Sequence, residues 1–211
     1  MSTIRTLRNV SGLGDTPCSL ASAALIMVDC QNTYRTGVMQ LEGVEAAIQQ
    51  ARLLLERARE LKSRVIHIQH DAGPGSPYDV RADVGAISAE VAPRPGEPVV
   101  VKAYPNAFVQ TDLDARLKAR GVKSDVIAGF MTHMCINSTP RGAFNLGYSP
   151  TVVASATATR ALPGAAGSTI SAAAIQIASL AALRDLFAVV VDDPDGLLVP
   201  PDPLKSGERH K

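Results

Sequence analysis

The sequence predicts an α/β fold of three layers, in which a six-stranded parallel sheet carries helices on both faces. Two observations support this fold class. Short apolar runs of four or five residues alternate with longer segments in which apolar residues recur at helical spacing. The runs lack the polar–apolar alternation of a half-exposed strand, which indicates strands buried on both faces. Regular alternation of strands and helices favours a parallel sheet, because each return crosses the sheet through a helix.

The first half of the chain is predicted to contain three strands and one long helix. The apolar run 24–28 is the first strand, and apolar residues spaced along 41–61 form one stripe of a helix. The runs 64–68 and 98–101 are the second and third strands. Residues 71–97 are rich in glycine and proline, so we expect a long excursion with one short helical piece near 84–91. Because long loops in compact domains are often functional, this excursion is expected to supply a lid or an oligomer contact.

Three further strands are predicted, over residues 125–128, 151–154 and 187–191. The helix before them begins at Thr111 and ends at Gly121, and the next helix covers 132–146. Pro140 lies inside that second helix, and we expect the helix to bend there. The last helix opens at Ser168 and carries several apolar residues on one side: Ile170, Ala174, Ile177 and Ala181.

Length and composition suit a single globular domain. Of the 211 residues, 46% are hydrophobic and 19% are charged, which excludes a mainly disordered chain. The predicted organisation is an N-terminal arm over 1–20, a domain over 21–192 and a C-terminal tail over 193–211. The formal net charge is +1 and no cluster of Lys and Arg exceeds two residues, so nucleic acid is not an expected partner.

The three cysteines, Cys18, Cys30 and Cys135, are widely separated. An odd and sparse set fits neither a disulfide framework nor a zinc site, and it predicts a reducing, cytoplasmic compartment. The apolar run 20–28 is too short to cross a bilayer and is read as a buried strand rather than a signal segment. A membrane is therefore not an expected partner.

Three residues with chemical potential stand where predicted strands end. Asp29 ends the first strand, Lys102 ends the third, and Cys135 lies at the start of the helix after the fourth. Ligands of open α/β sheets bind beyond the carboxyl ends of the strands. Each residue alone also has a structural interpretation: a turn-capping Asp, a Lys whose stem covers apolar surface, and a Cys that packs as a small hydrophobe.

Together these residues predict a nucleophilic site, and we expect their strands to be neighbours in the sheet. The N-terminus of a helix favours a thiolate at Cys135. The carboxylate of Asp29 can accept the thiol proton, and the ammonium of Lys102 favours negative charge on both partners.

Three segments carry a resemblance to a known family. Leu-Ile-Met-Val-Asp-Cys-Gln-Asn-Thr-Tyr (25–34) resembles the first motif of the isochorismatase-like cysteine hydrolases. Val-Val-Val-Lys-Ala-Tyr-Pro-Asn-Ala-Phe (99–108) is similar to their lysine motif, and Ala-Gly-Phe-Met-Thr-His-Met-Cys-Ile-Asn-Ser-Thr (128–139) to their nucleophile motif. The resemblance spans about residues 21–192 and contains the motifs in the family's order.

The resemblance implies the three-layer fold of that family and an Asp29–Lys102–Cys135 catalytic triad. It also implies a cis peptide bond between Phe130 and Met131, and an oxyanion hole formed by the backbone amides of Met131 and Cys135.

The expected function is hydrolysis of a small amide or related C–N substrate through a thioester on Cys135. Two alternatives stay open: an isochorismatase that cleaves a vinyl ether, and a catalytically silent, oligomeric binding protein. The family is commonly oligomeric, so a homo-oligomer is expected, with a small molecule as the ligand.

No metal and no cofactor are expected. The nicotinamidase branch of the family holds a metal with an Asp-x-His pair and a further His after the second strand. Here that segment reads His67-Ile-Gln-His-Asp71, and the next histidine is His133. His67 is expected to pack within the sheet, whereas His133 has a structural and a substrate-facing interpretation of equal weight.

Residues close to the triad in sequence are the candidates for contact with substrate. These substrate-binding candidates are Gln31, His70, Tyr104 and Thr132. Tyr34 and Phe108 are also nearby, and we expect them to pack in the core or at an interface.

Overall fold

The structure, a computed structural model, describes residues 4–197. The strands along this range are β1 (Ala24–Val28), β2 (Arg64–His70), β3 (Val99–Lys102), β4 (Ser124–Phe130), β5 (Ser149–Ala158), β6 (Leu162–Pro163), β7 (Thr169–Ile170) and β8 (Val189–Val191). The α-helices are α1 (Leu7–Val10), α2 (Val44–Glu60), α3 (Leu113–Ala119), α4 (Cys135–Asn145) and α5 (Ala172–Leu186).

Six of these strands form one parallel sheet in the order β3-β2-β1-β4-β5-β8. Strand β1 lies in the middle, where Val28 pairs with Ile68 on one side and with Gly129 on the other. Short β6 and β7 pair separately as an antiparallel hairpin. The carboxyl ends of β1, β2, β3 and β4 therefore lie side by side along one edge of the sheet.

The core is divided between the two faces of the sheet. Leu25 and Met27 of β1 pack with the apolar stripe of α2 on one face. Ala24, Ile26 and Val28 pack on the other face, with apolar residues of α3, α4 and α5. Successive side chains of a strand point to opposite faces, so an uninterrupted apolar run serves both layers. The predicted three-layer α/β fold is confirmed.

Helix α4 begins at Cys135, three residues later than the sequence pattern predicts. Met131 and Thr132 instead belong to the turn that leaves β4, where the Met131 carbonyl accepts from the Met134 and Ile136 amides. Pro140 lies in the second turn of α4, and the helix continues through it to Asn145. The late start places Cys135 in the first turn of the helix.

The last helix also starts later than predicted, at Ala172 rather than near Ser168. The Ser171 hydroxyl caps it by accepting from the Ala174 amide, and the preceding residues form the β6–β7 hairpin. The side predicted from the sequence faces solvent, with Ile177 70% exposed. The buried side instead carries Ala172 and Leu183. In an alanine-rich helix apolar residues occupy every side, so spacing alone does not identify the buried one.

The N-terminal arm and the excursion 71–97, which lie outside the sheet, contain short helical segments. Within 71–97 the predicted helical piece is two 3₁₀ turns, Asp83–Gly85 and Ala89–Val91. In the N-terminal arm, α1 packs on α5, and the Leu7 amide donates to the Asp185 carboxylate at 2.9 Å. The C-terminal tail is described to residue 197, and its remainder lies outside the described residues. Across residues 4–197, no helix has the length and apolar character to cross a membrane.

Candidate active site

Asp29 follows the last residue of β1 and turns the chain away from the sheet. Its φ of 50° lies in the left-handed region, which Asp tolerates better than most residues with a side chain. Its amide still donates to the Ile68 carbonyl at 3.0 Å, which holds the residue at the carboxyl end of the central strand β1. The residue is fully buried.

Lys102 is the last residue of β3, the edge strand. Burial alternates along β3, so the Lys102 side chain points inward like that of Val100, while Val101 is half exposed. Its Nζ lies 2.7 Å from Asp29 Oδ2 and 3.3 Å from Cys135 Sγ. Burial lowers the pKa of Lys102, but the charge of Asp29 and the hydrogen bonds to Asp29 and Cys135 outweigh burial and leave that pKa raised. The ammonium form therefore persists inside the site.

One expectation about the sheet is corrected here. The strands of Asp29 and Cys135 are neighbours, but β2 lies between β1 and β3. Lys102 reaches Asp29 beside the end of β2, where its Nζ also lies 3.1 Å from Nδ1 of His70.

An ammonium only donates, so this Nδ1 accepts and a neutral His70 carries its proton on Nε2. Burial, followed by the Lys102 charge, lowers the pKa of His70, which keeps the ring neutral.

Cys135 is 4% exposed and begins α4. Burial raises the pKa of its thiol, the Asp29 carboxylate raises it further, and Lys102 opposes both. Burial of Cys135 therefore favours the neutral thiol and opposes the thiolate that Lys102 favours. Beyond the ion pair with Lys102, neither carboxylate oxygen of Asp29 has a hydrogen-bond partner within residues 4–197. Asp29 can therefore accept a proton from a neutral thiol.

The backbone before Cys135 runs close to β1. Gly129 has a φ of 124°, and a Cβ at this position would overlap the Val28 carbonyl oxygen. Only glycine therefore permits this approach of β4 to the strand that carries Asp29. The Phe130–Met131 peptide bond that follows is cis. In the described part of the chain, neither the Met131 nor the Cys135 amide donates to a backbone carbonyl, so both are free to bind an oxyanion.

The side chain of Gln31 is fully buried and bonds to the main chain. Its Nε2 donates to the carbonyls of His70 and Gly85, and its Oε1 accepts from the His70 amide. Gln31 thus ties the excursion 71–97 to the end of β2. The structure assigns its polar atoms to positioning His70 rather than to an open pocket.

The other substrate-binding candidates have different environments. His70 contacts Lys102, as described above. Thr132 is fully buried and its hydroxyl lacks a partner within residues 4–197, so this group is available for a ligand. Tyr104 is 43% exposed and lines a small cavity with Asp71, Gln110 and the triad residue Lys102.

Aromatic rings surround the same end of the sheet. Tyr34 is buried edge-to-face between Phe130 and Tyr78, and the rings of Tyr78 and His70 are 4.9 Å apart. Phe108 is not part of this group of rings and instead stacks on Tyr148. The packing interpretation of Tyr34 and Phe108 therefore holds, while Tyr78 joins the site from within the excursion 71–97.

Sequence reasoning also missed Arg160 and its surroundings. His133 Nδ1 lies 2.5 Å from the hydroxyl of Thr159, and burial, followed by the Arg160 charge, lowers the pKa of His133. Burial raises the pKa of Tyr78, the hydrogen bond with Tyr34 opposes burial, and the Arg160 charge opposes it least. The Nε of Arg160 is buried without a partner among the described residues. Nothing in the spacing of the motifs points to Arg160, because it follows β5 by only two residues in an irregular segment.

His67 lies in the middle of β2 and does not reach the site. Its Nε2 lies 3.0 Å from a carboxylate oxygen of Glu97, and its side chain is buried in the sheet. Over the described range 4–197, no three or more His, Cys, Asp or Glu side chains are grouped so that they could share a metal ion.

Comparison with known proteins relates this geometry to a family. Residues 23–194 match the isochorismatase domain family. The chain is 29% identical over 189 residues to a secreted isochorismatase effector from Verticillium dahliae, covering 89% of this chain and 97% of that protein. It is 32% identical over 173 residues to a ureidoacrylate amidohydrolase from Stutzerimonas stutzeri, covering 65% and 70% respectively.

A solved structure agrees. A crystal structure of an isochorismatase from Pseudomonas putida KT2440 superposes with a TM-score of 0.89 at 33% identity, covering 93% of this chain and all of that one. Because one relative is secreted, the cytoplasmic location stays a prediction. The match to the domain family covers most of the chain, and the protein belongs to the isochorismatase family of hydrolases.

Proposed function

We propose that this protein is a cysteine-dependent hydrolase that cleaves an amide or related C–N bond of a small molecule. The observation that carries this proposal is the position of Lys102 Nζ, 2.7 Å from Asp29 Oδ2 and 3.3 Å from Cys135 Sγ in a site closed to solvent. An acid, a cation and a thiol are held together there without a structural need for their charges. The similarity to a ureidoacrylate amidohydrolase supports C–N cleavage.

The proposed first half-reaction forms a thioester. Asp29 takes the proton of the Cys135 thiol as the sulfur attacks the carbonyl carbon. The resulting oxyanion accepts hydrogen bonds from the Met131 and Cys135 amides, which in comparable sites lowers the barrier by about 3–4 kcal/mol. The C–N bond then breaks, and the departing amine takes the proton from Asp29.

Water completes the cycle. Asp29 removes a proton from a water molecule as its oxygen attacks the thioester carbon. The C–S bond breaks, the acid is released, and the proton on Asp29 returns to the sulfur. Lys102 stays protonated throughout and stabilises whichever partner carries the negative charge. The neutral resting thiol fits this scheme, because the proton leaves only as attack occurs.

The test is a screen of small amides, ureido acids and isochorismate, combined with mass spectrometry of the peptide that contains Cys135. We expect turnover of at least one C–N substrate and an acyl adduct on Cys135 after rapid acid quenching. Cys135→Ala should lose both while remaining folded by circular dichroism. Cys18→Ala is the matched control, because Cys18 lies in the N-terminal arm and donates to the Ser149 carbonyl; it should retain turnover.

Other outcomes would overturn the proposal. Hydrolysis of isochorismate alone, without an adduct, favours the vinyl ether reaction. Turnover of a C–N substrate that survives in Cys135→Ala contradicts the thioester mechanism. A folded protein that hydrolyses no compound in the screen favours a binding protein.

A further inference from the structure

A cavity lies at the amino ends of the strands, at the opposite end of the sheet from Asp29 and Cys135. Its volume is about 520 Å³, and its walls are the carboxyl ends of α2 and α3, the start of β2 and residues 96–98. This volume falls in the range of small-molecule sites in proteins. The cavity is therefore separated from the candidate active site by the length of the strands.

The floor of this cavity is apolar. Ile66 of β2, Leu117 of α3 and Val122 before β4 contribute to it from one face of the sheet, and Val65 borders it from the other face. All four are buried, so a ligand seated on them would be shielded from water on that side. Such a floor favours an apolar group.

The walls carry a concentration of positive charge: Arg59, Lys62, Arg64, Arg116 and Arg120. The one carboxylate in the lining is Glu97, and Arg59 binds it with two hydrogen bonds of 2.8 Å. The same carboxylate also contacts Nε2 of His67 and accepts from the Arg94 amide. Glu97 is thus fully engaged and leaves the other cations unneutralised.

The remaining cations differ in their partners. Arg116 pairs with Asp112 on its own helix at 2.7 Å. Lys62, Arg64 and Arg120 form no ion pair within residues 4–197. Three positive side chains with no acidic partner therefore surround an apolar floor.

Cations at the carboxyl ends of helices also have an ordinary structural role, because they offset the negative end of the helix dipole. Two helix ends meet this cavity, and each contributes about half a negative charge. Together they offset about one of the three unpaired cations. The cavity thus keeps a net positive potential after this effect is included, although Lys62, Arg64 and Arg120 are exposed to solvent.

We propose that this cavity binds a small organic anion, in which an apolar body rests on the Val65–Val122 floor and an anionic head contacts Arg64 and Arg120. The chemical class is an aromatic or short aliphatic phosphate, sulfonate or carboxylate. The head satisfies the cations, and the body replaces water on the floor. The anionic head alone would leave the apolar floor uncovered, and the apolar body alone would leave the cations without a partner.

The test uses phenyl phosphate as the probe, with inorganic phosphate and phenol as the two halves of it. Isothermal titration calorimetry with the full chain should detect one phenyl phosphate site, and each half should bind at least tenfold more weakly. Raising the salt concentration from about 20 to about 200 mM should weaken the binding of phenyl phosphate, because exposed charges are screened. Amide chemical shifts should change at Val65, Ile66, Leu117 and Val122.

The variant Arg64→Ser/Arg120→Ser should lower the affinity at least tenfold and leave turnover unchanged. Arg52→Ser/Arg184→Ser removes two charges that do not line the cavity, and it should bind phenyl phosphate as the parent does. Equal affinity in both double variants overturns the proposal, as does the absence of any binding. Shifts confined to Thr132–Cys135 show that the probe enters the candidate active site instead, which also overturns it.

Discussion

The ammonium of Lys102 lies 2.7 Å from the Oδ2 atom of Asp29, and neither side chain is exposed to solvent. A buried ion pair of this kind adds little net stability, because desolvation of the two charges offsets their attraction. Removing one partner is far more costly, since the other charge is then left buried and unpaired. The contribution of the pair to the free energy of unfolding and its contribution to turnover can therefore be measured separately.

Lys102→Met should lower the free energy of unfolding by about 3–5 kcal/mol at pH 7, because it leaves Asp29 without its counter-charge. Asp29→Asn/Lys102→Met removes both charges and should recover most of that loss. Urea unfolding followed by circular dichroism measures both values. Neither variant should turn over substrate. A double variant as unstable as the single one would contradict this reading of the pair.

Asp29→Asn should separate the reactivity of the thiol from catalysis. The Asp29 carboxylate is one of the groups that raise the pKa of Cys135, whereas Lys102 lowers it. Neutralising Asp29 therefore lowers the thiol pKa, and iodoacetamide should alkylate Cys135 faster than in the parent at pH 8. Turnover should nevertheless fall to background, because the proton acceptor is gone.

Alkylation is quantified by mass spectrometry of the peptides that contain each cysteine. Cys18 serves as the internal reference, since burial is the main cause of its raised pKa and Asp29 is not among the causes. Slower alkylation of Cys135 in Asp29→Asn would show that the carboxylate promotes the thiolate at rest, contrary to this prediction.

Gly129→Ala should destabilise the fold by at least about 3 kcal/mol and abolish activity. The new Cβ would overlap the Val28 carbonyl oxygen, and the φ of 124° is unfavourable for any residue with a side chain. The control is Gly14→Ala, where nothing lies within 4 Å of the added Cβ. Thermal unfolding should separate the two variants clearly. Equal melting temperatures would mean that β4 can move away from β1.

Asp125 should make stability depend on pH through a group remote from the chemistry. It is fully buried at the start of β4, and neither carboxylate oxygen has a partner within residues 4–197. Burial raises its pKa from 3.8 to about 7. The folded state therefore retains a proton that the unfolded state releases near pH 4.

The free energy of unfolding should consequently fall as the pH rises from about 4 to about 7, by about 1 kcal/mol per pH unit from this group, and change no further above that. Asp125→Asn stays neutral at every pH, so its stability relative to the parent should increase across that window. Urea unfolding at several pH values measures the difference. A constant difference would rule out titration of Asp125.

The sequence was informative where one physical rule dominates. The run that became β1 could be recognised because a strand buried on both faces is apolar throughout. The positions of Asp29 and Lys102 at strand ends followed from the same reading, since a charged residue ends such a run. Helix α5 could not be oriented, because alanine is compatible with a buried and an exposed side alike.

The sequence by itself determined the order of strands and helices, the family motifs and the three residues that stand at the strand ends. Only the tertiary structure decided that the pKa of Cys135 is raised, because that pKa depends on burial and on two charges distant in sequence. It also decided that β2 separates β1 from β3, and that Tyr78 packs against His70. Burial and electrostatic interactions act through space, and the spacing of residues along a chain does not record them.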